Sequence, residues 1–176
     1  TRDIISSMQK MSFVSREIGN AANIYNNMLK DRDCTIFLTL AGSTSAAGCM
    51  NIYRDMIKYN MVDAIIATGA SIIDMDFFEA LGFKHYRGSQ FEDDNKLRKN
   101  YIDRIYDTYI DEDELQFCDK TICEIANKLE PKSFTSREFI HEIGKYLKNN
   151  SKKKGSLIET AFDKDVPIFC PAFTDS

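Results

Sequence analysis

The sequence is poor in residues that build metal or redox centres. Its two histidines, His85 and His141, lie far apart, and its five cysteines include no CxxC pair. A zinc site is therefore not expected, and the odd cysteine total argues against a disulfide framework. Long apolar runs are also missing. The longest, around residues 36–41 and 62–67, are strand length, far short of the roughly 18 residues of a membrane span. Basic residues are not in excess: 23 Lys and Arg against 27 Asp and Glu give a net charge of −4, which argues against a broad nucleic-acid-binding surface. No GxGxxG dinucleotide fingerprint is present. The first residues, Thr1-Arg2-Asp3, include no Met and no signal-peptide pattern; they are read as the start of a trimmed or processed chain.

What is present is an ordinary globular composition, 176 residues with 43% apolar and 28% charged, enough for one domain with a sizeable core. No internal repeat or flexible linker divides it. Cys34 and Cys170 sit in apolar, strand-like runs and Cys118 on an apolar helix stripe. The cysteines are expected to be reduced core residues, which points to the cytoplasm.

Helical spacing at Ile18, Ala22, Tyr25 and Leu29 predicts a helix from Phe13, ended by Asp31-Arg32-Asp33. Residues 34–40 (CTIFLTL) form a nearly continuous apolar run, the mark of a strand covered on both faces. A small-residue turn at 41–48 (AGSTSAAG) and a helix to about Tyr59 follow. The next strand, 63–67 (DAIIA), leads into Thr68-Gly69-Ala70-Ser71 and a helix through Leu81. This repeated strand, turn and helix is the pattern of a parallel α/β sheet with flanking helices. The middle of the chain reads as more helical. Leu115, Cys118, Ile122, Ile125 and Leu129 form a stripe stopped by Pro131, and Thr135 with Glu138 forms a capping box before Phe139, Ile143 and Leu147. Residues 148–155 (KNNSKKKG) read as a solvated loop, residues 157–162 as a short helix, and residues 166–170 (VPIFC) as a third strand.

In a parallel sheet, ligands bind where strands end and small residues let a phosphate approach the backbone. Three strand ends qualify: 41–45, 68–71 and 173–176. The first two offer backbone N–H groups and hydroxyls for a pyrophosphate, the third a carboxylate; small residues there also serve tight packing alone. Asp74 and Asp76 suit either the first turn of a helix or a cationic substrate. His85 is expected to be a packed structural histidine, and His141 an incidental one on a helix surface. Lys152-Lys153-Lys154 reads as solvated. Glu92-Asp93-Asp94 and the acidic run 111–114 read as helix N-terminal carboxylates.

Several segments together resemble deoxyhypusine synthase: Met11-Ser12-Phe13, residues 34–48, residues 60–88 (NMVDAIIATGASIIDMDFFEALGFKHYRG), residues 102–114 (IDRIYDTYIDEDE) and residues 166–175 (VPIFCPAFTD). The resemblance runs almost end to end and is closer to the prokaryotic branch than to the animal enzyme. It implies a Rossmann-like fold in a tetramer with active sites between paired subunits. It also implies an NAD-dependent reaction that oxidises spermidine and transfers its aminobutyl group to a lysine of translation initiation factor 5A. By position, Gly42, Ser43 and Ala46 match the first NAD turn, where animal enzymes have Thr-Ser-Asn, and Thr68, Gly69 and Ala70 match the second. The acidic residue that meets cofactor and polyamine maps to Asp74, or to Asp76 with a shifted gap, and Asp175 matches an NAD-contacting aspartate.

The family's later glycine-rich segment, its polyamine-binding His, Trp and acidic residues, and its imine-forming lysine have no counterpart in these 176 residues. No catalytic residue is therefore assigned, because the covalent step needs that lysine. A second polypeptide carrying the rest of the family sequence is expected, with the sheet incomplete without it. The end at Ser176, within the family's Pro-Ala-x-Thr-Asp segment, is read as proteolytic or self-processing, with a split gene or an artificial boundary as alternatives and a pyruvoyl group as a minor outcome. A homospermidine-synthase-like aminobutyl transfer and a catalytically inactive regulatory or scaffolding subunit stand as alternative functions.

Overall fold

The computed structural model describes residues 1–173. Asp175 lies outside the described residues, as does the Ser43 side chain. The chain divides into two compact units, Thr1–Ile36 and Phe37–Ser176. The boundary falls inside the apolar run 34–40, so no linker composition marks it.

The first unit is a pair of helices, α1 (Arg2–Met8) and α2 (Phe13–Met28). The apolar pattern signals α2 and gives no sign of α1. Gly19 lets the two meet, since a Cβ there would stand 2.5 Å from Gln9 Cγ. Gln9 Nε2 also donates to the Gly19 carbonyl at 2.9 Å.

The second unit holds a parallel sheet of β1 (Phe37–Leu40), β2 (Ala64–Ala67) and β6 (Ile168–Phe169), in the order β1-β2-β6. Leu40 lies opposite Ala67, and Ile66 opposite Phe169. Only central β2 shows the burial expected of a covered strand, with Ala64, Ile65 and Ala67 all buried. β1 departs from that expectation. It begins only at Phe37, and Phe37 is 55% exposed while Leu40 is buried, so one face is open. β6 is shorter than the 166–170 run, because Pro167 has no N–H to give and joins the ladder only through its carbonyl, which accepts from Ile65 N at 2.9 Å.

The helices are α3 (Met50–Lys58), α4 (Gly69–Ser71), α5 (Phe78–Ala80), α6 (Asp94–Lys99), α7 (Glu112–Lys128), α8 (Ser136–Asn150) and α9 (Leu157–Lys164). Each acidic helix start behaves as expected: Asp93 caps α6 and Asp111 caps α7. The Thr135–Glu138 capping box is complete, with both reciprocal hydrogen bonds formed. α9 packs on α3 and α8, and Ile57, Ile143, Leu147 and Leu157 are wholly buried. Of the cysteines, all free, only Cys118 and Cys170 belong to this core; Cys34 and Cys49 are half-buried and Cys123 is exposed. An isolated apolar letter in a short run does not fix burial.

A second, antiparallel sheet lies where the sequence reads as helical: β3 (Tyr86–Arg87), β4 (Ile102–Ile105) and β5 (Thr108–Asp111), in the order β3-β5-β4. Its β4–β5 turn places Tyr106 at φ 60°, a conformation that glycine or asparagine usually announces. Without that cue the hairpin is silent in the sequence.

The α8–α9 crossing depends on Gly144, where a Cβ would stand 2.6 Å from Phe162 Cβ and 3.2 Å from the Ile158 carbonyl. Gly144→Ala is expected to lower stability by about 1–3 kcal/mol through overpacking, read as a lower urea midpoint at unchanged slope. An unchanged midpoint would show that the crossing relaxes freely.

Candidate functional site

The candidate site starts at the ends of β1 and β2, which finish side by side. Thr68 N donates to the Leu40 carbonyl at 3.3 Å just past the last ladder pair. Each strand then enters a short helical turn that widens into a π-helical one: Gly42–Thr44 then Ser45–Cys49 after β1, and α4 then Ile72–Phe77 after β2. π turns recur at functional sites. Gly42 has φ +66° and Gly48 has φ +90°, which only glycine adopts without strain. A Cβ at either would meet nothing within 4 Å, so open space borders the first turn.

Two hydroxyls stitch the turns together, and a third supports them from within the second turn. Ser71 Oγ donates to the Gly42 carbonyl at 3.0 Å, Ser45 Oγ to the Ser71 carbonyl at 3.2 Å, and Thr68 Oγ1 to Ser71 Oγ at 3.2 Å. Ser71 is 0% and Ser45 3% exposed. This corrects the sequence expectation that hydroxyls at these strand ends face a ligand. Those of Ser45 and Ser71 face inward, and each commits its proton to the neighbouring turn. The sequence offers no cue, because the bonded residues are 26 and 29 positions apart. Of the other candidates, Gly42 and Thr68 are exposed, Ala46 and Ala70 half-buried and Gly69 buried. β6 runs parallel to β2, so the chain leaving it heads for the same end of the sheet as both turns.

Asp74 and Asp76 share the second π turn but differ in environment. Asp74 is half-buried, and its pKa is raised, first by burial and then by the nearby Asp119 carboxylate on α7. The sequence pattern gave no sign of Asp119, which looks like any polar residue of an amphipathic helix. Asp76 is 4% exposed, and its two oxygens accept the Leu157 and Ile158 amides at 2.7 and 2.9 Å. It caps α9 from a distant part of the chain, so the alternative that makes Asp76 the substrate carboxylate loses its footing: both oxygens already serve backbone donors. Burial pushes the Asp76 carboxyl up to about 6, against the pull of those amides and Ser156.

His85 is the packed histidine expected, with Nδ1 3.2 Å from Glu79 Oε1, Nε2 3.0 Å from Met75 Sδ, and its ring on Phe78. The lysine triplet is better anchored than a solvated loop. Lys153 pairs with Glu79, Lys154 Nζ donates to the Lys148 carbonyl at 2.7 Å, and the Lys152 and Lys153 amides reach the Ala80 carbonyl. His141 is exposed, with its ring tilted against Phe162 at a centroid distance of 4.7 Å. Among the described residues, no candidate site residue lines the two cavities of about 710 and 930 Å³, while Asp76 lines a third of only about 20 Å³.

The pH dependence of Asp76 has a definite sign. A carboxyl whose folded pKa lies above its unfolded value holds its proton more tightly when folded. Stability from this group is therefore greatest below about pH 4 and falls as pH rises through about 6. Asp76→Asn is expected to flatten that slope and to cost about 1–3 kcal/mol, since its amide group can no longer accept from both backbone donors. Denaturant unfolding of both proteins from pH 4 to 7 measures this, and parallel curves would refute it.

The sequence pattern of the deoxyhypusine synthase family matches residues 3–176. A deoxyhypusine synthase-like protein of Caulobacter vibrioides is 66% identical over 99% of this chain and 48% of its own length. One from Coxiella burnetii is 64% identical over 99% of this chain and 50% of its own length. A protein of Methanosarcina acetivorans named probable deoxyhypusine synthase 2 is 36% identical, again over 99% of this chain and 50% of that protein. The chain thus spans about half the length of these relatives. In fold it is similar to a candidate deoxyhypusine synthase from Entamoeba histolytica, with TM-score 0.69, 21% identity, and coverage of 99% of this chain and 59% of that one. The chain belongs to the deoxyhypusine synthase family.

Proposed function

We propose that this chain supplies one part of the NAD and spermidine site of an enzyme that transfers an aminobutyl group to a protein lysine, that of translation initiation factor 5A. One observation carries the reading: in a chain of this family, two small-residue turns are locked together at adjacent parallel strand ends, and the half-buried Asp74 follows the second. Open space beside Gly42 and Gly48 suits close approach of a diphosphate to backbone amides. Gly42, Ser43 and Ala46 would hold the cofactor from the first turn, Thr68, Gly69 and Ala70 from the second, and Asp175 from the strand end after β6. NAD, when bound, supplies the redox chemistry by accepting hydride from the carbon beside spermidine's secondary amine. Asp74 contributes charge. Burial and Asp119 raise its pKa, so an arriving ammonium group relieves that penalty and gains an ion pair.

The fold in this reading is a Rossmann-like half-sheet, completed by a second polypeptide that carries the remaining family sequence and its lysine, in a tetramer-like assembly of the cytoplasm. One feature supports completion of the sheet by further strands: β1 and β6 each have one strand neighbour among the described residues.

Asp74→Ala in the complete enzyme is expected to weaken spermidine use about ten- to a hundredfold, the loss of one charge-assisted contact, with little change in unfolding midpoint. Steady-state kinetics with wild-type spermidine parameters would remove Asp74 from the site. Label from spermidine should enter protein; label found in a small-molecule product would instead indicate a homospermidine-type acceptor.

Co-expression with the C-terminal half of the family sequence should yield a co-purifying complex by intact mass and size exclusion, whereas the chain alone should aggregate through its open strand edges. A monomer that unfolds cooperatively by itself would overturn the dependence on a partner.

A further inference from the structure

We infer that Ser71 is a positioning residue for the cofactor: its buried hydroxyl fixes the plane of the peptide between Gly42 and Ser43, so that the amide of that peptide faces the dinucleotide. The inference rests on the NAD reading above. Ser71 is 0% exposed, and its Oγ donates to the Gly42 carbonyl at 3.0 Å. A trans peptide is planar, with its C=O and N–H pointing in opposite directions. A carbonyl drawn toward the buried serine therefore sends the N–H of the same plane outward. Open space borders this turn, since a Cβ at Gly42 would meet nothing within 4 Å. The positive φ of Gly42, +66°, lets the backbone make this turn without strain. Thr68 Oγ1 donates to Ser71 Oγ at 3.2 Å, which leaves the Ser71 proton directed at Gly42.

Ser45 provides an internal comparison. It is also buried, at 3% exposure, and also bridges the two turns, through its bond to the Ser71 carbonyl at 3.2 Å. That bond leaves the Gly42 carbonyl untouched. Two buried serines thus tie the same turns together, and only one of them sets the direction of an amide at the ligand side.

The test uses the complete enzyme, with NAD affinity from titration calorimetry, steady-state kinetics, and thermal unfolding of Ser71→Ala and Ser45→Ala. Ser71→Ala should raise the NAD Kd about tenfold, as loss of one oriented hydrogen bond does, with kcat at saturating NAD close to wild type. Ser45→Ala should lower the unfolding midpoint by a similar amount to Ser71→Ala and leave the Kd within about twofold, because only a tie between turns is lost. An unchanged Kd in Ser71→Ala, or an equal rise in Ser45→Ala, would overturn the positioning role. Should Ser71→Ala fail to fold, Ser71→Cys keeps the shape of the side chain, slightly enlarged, with a weaker donor, and an unchanged Kd in that variant would overturn the role in the same way. A wild-type enzyme with no NAD affinity overturns the cofactor reading itself, and this step with it.

Discussion

A buried carboxylate accepting two backbone amides holds the start of α9, and the placing of the strand that follows depends on it. The first amides of any helix lack partners within the helix, and the helix dipole favours an anion there. Asp76 meets both needs for Leu157 and Ile158, while Ser156 caps the same helix locally by accepting from Glu159 N. α9 then ends at Asp165, in a left-handed conformation at φ 54°, and the chain turns into β6 beside β2. The contact that fixes where α9 begins therefore also helps place the third strand. An acid with its carboxyl pushed up to about 6 fits a position where geometry outweighs the desolvation of one carboxyl group.

The paired turns obey a related logic of satisfied polar groups. Buried hydroxyls need partners, and in this fold Ser45 and Ser71 find theirs across the gap between turns. The first turn is left with open space at glycine. In the proposed reading an anion is met there by backbone amides, and what must be kept is the plane of each peptide rather than any side chain.

Charge organises the far end of the second π segment. Glu79 faces His85 and Lys153, which together hold its carboxyl down near 2 despite partial burial. With the Lys152 and Lys153 amides on the Ala80 carbonyl, the end of α5 is clamped by a loop whose composition alone reads as solvated. Lysines in a triplet look alike in sequence, and what separates an anchored one from a free one is the acceptor that the fold brings to it.

Local rules made much of the structure legible. Period and capping give α2, α7, α8 and α9, because a helix's hydrogen bonds and its N-terminal caps lie within a few residues of each other. The small-residue turns at 41–48 and 68–71 are equally local and mark the strand ends. The antiparallel sheet β3-β5-β4 escaped because Tyr106 takes a conformation that its identity does not announce. By itself, then, the sequence determined α2, α7, α8 and α9, the parallel strand pattern, the family and the two candidate turns. Only tertiary structure decided that Ser45 and Ser71 face inward, that Asp76 caps α9, and that Asp119 sits near Asp74. Each of these joins residues distant in the chain, and burial and partner geometry come into being only once the elements have packed.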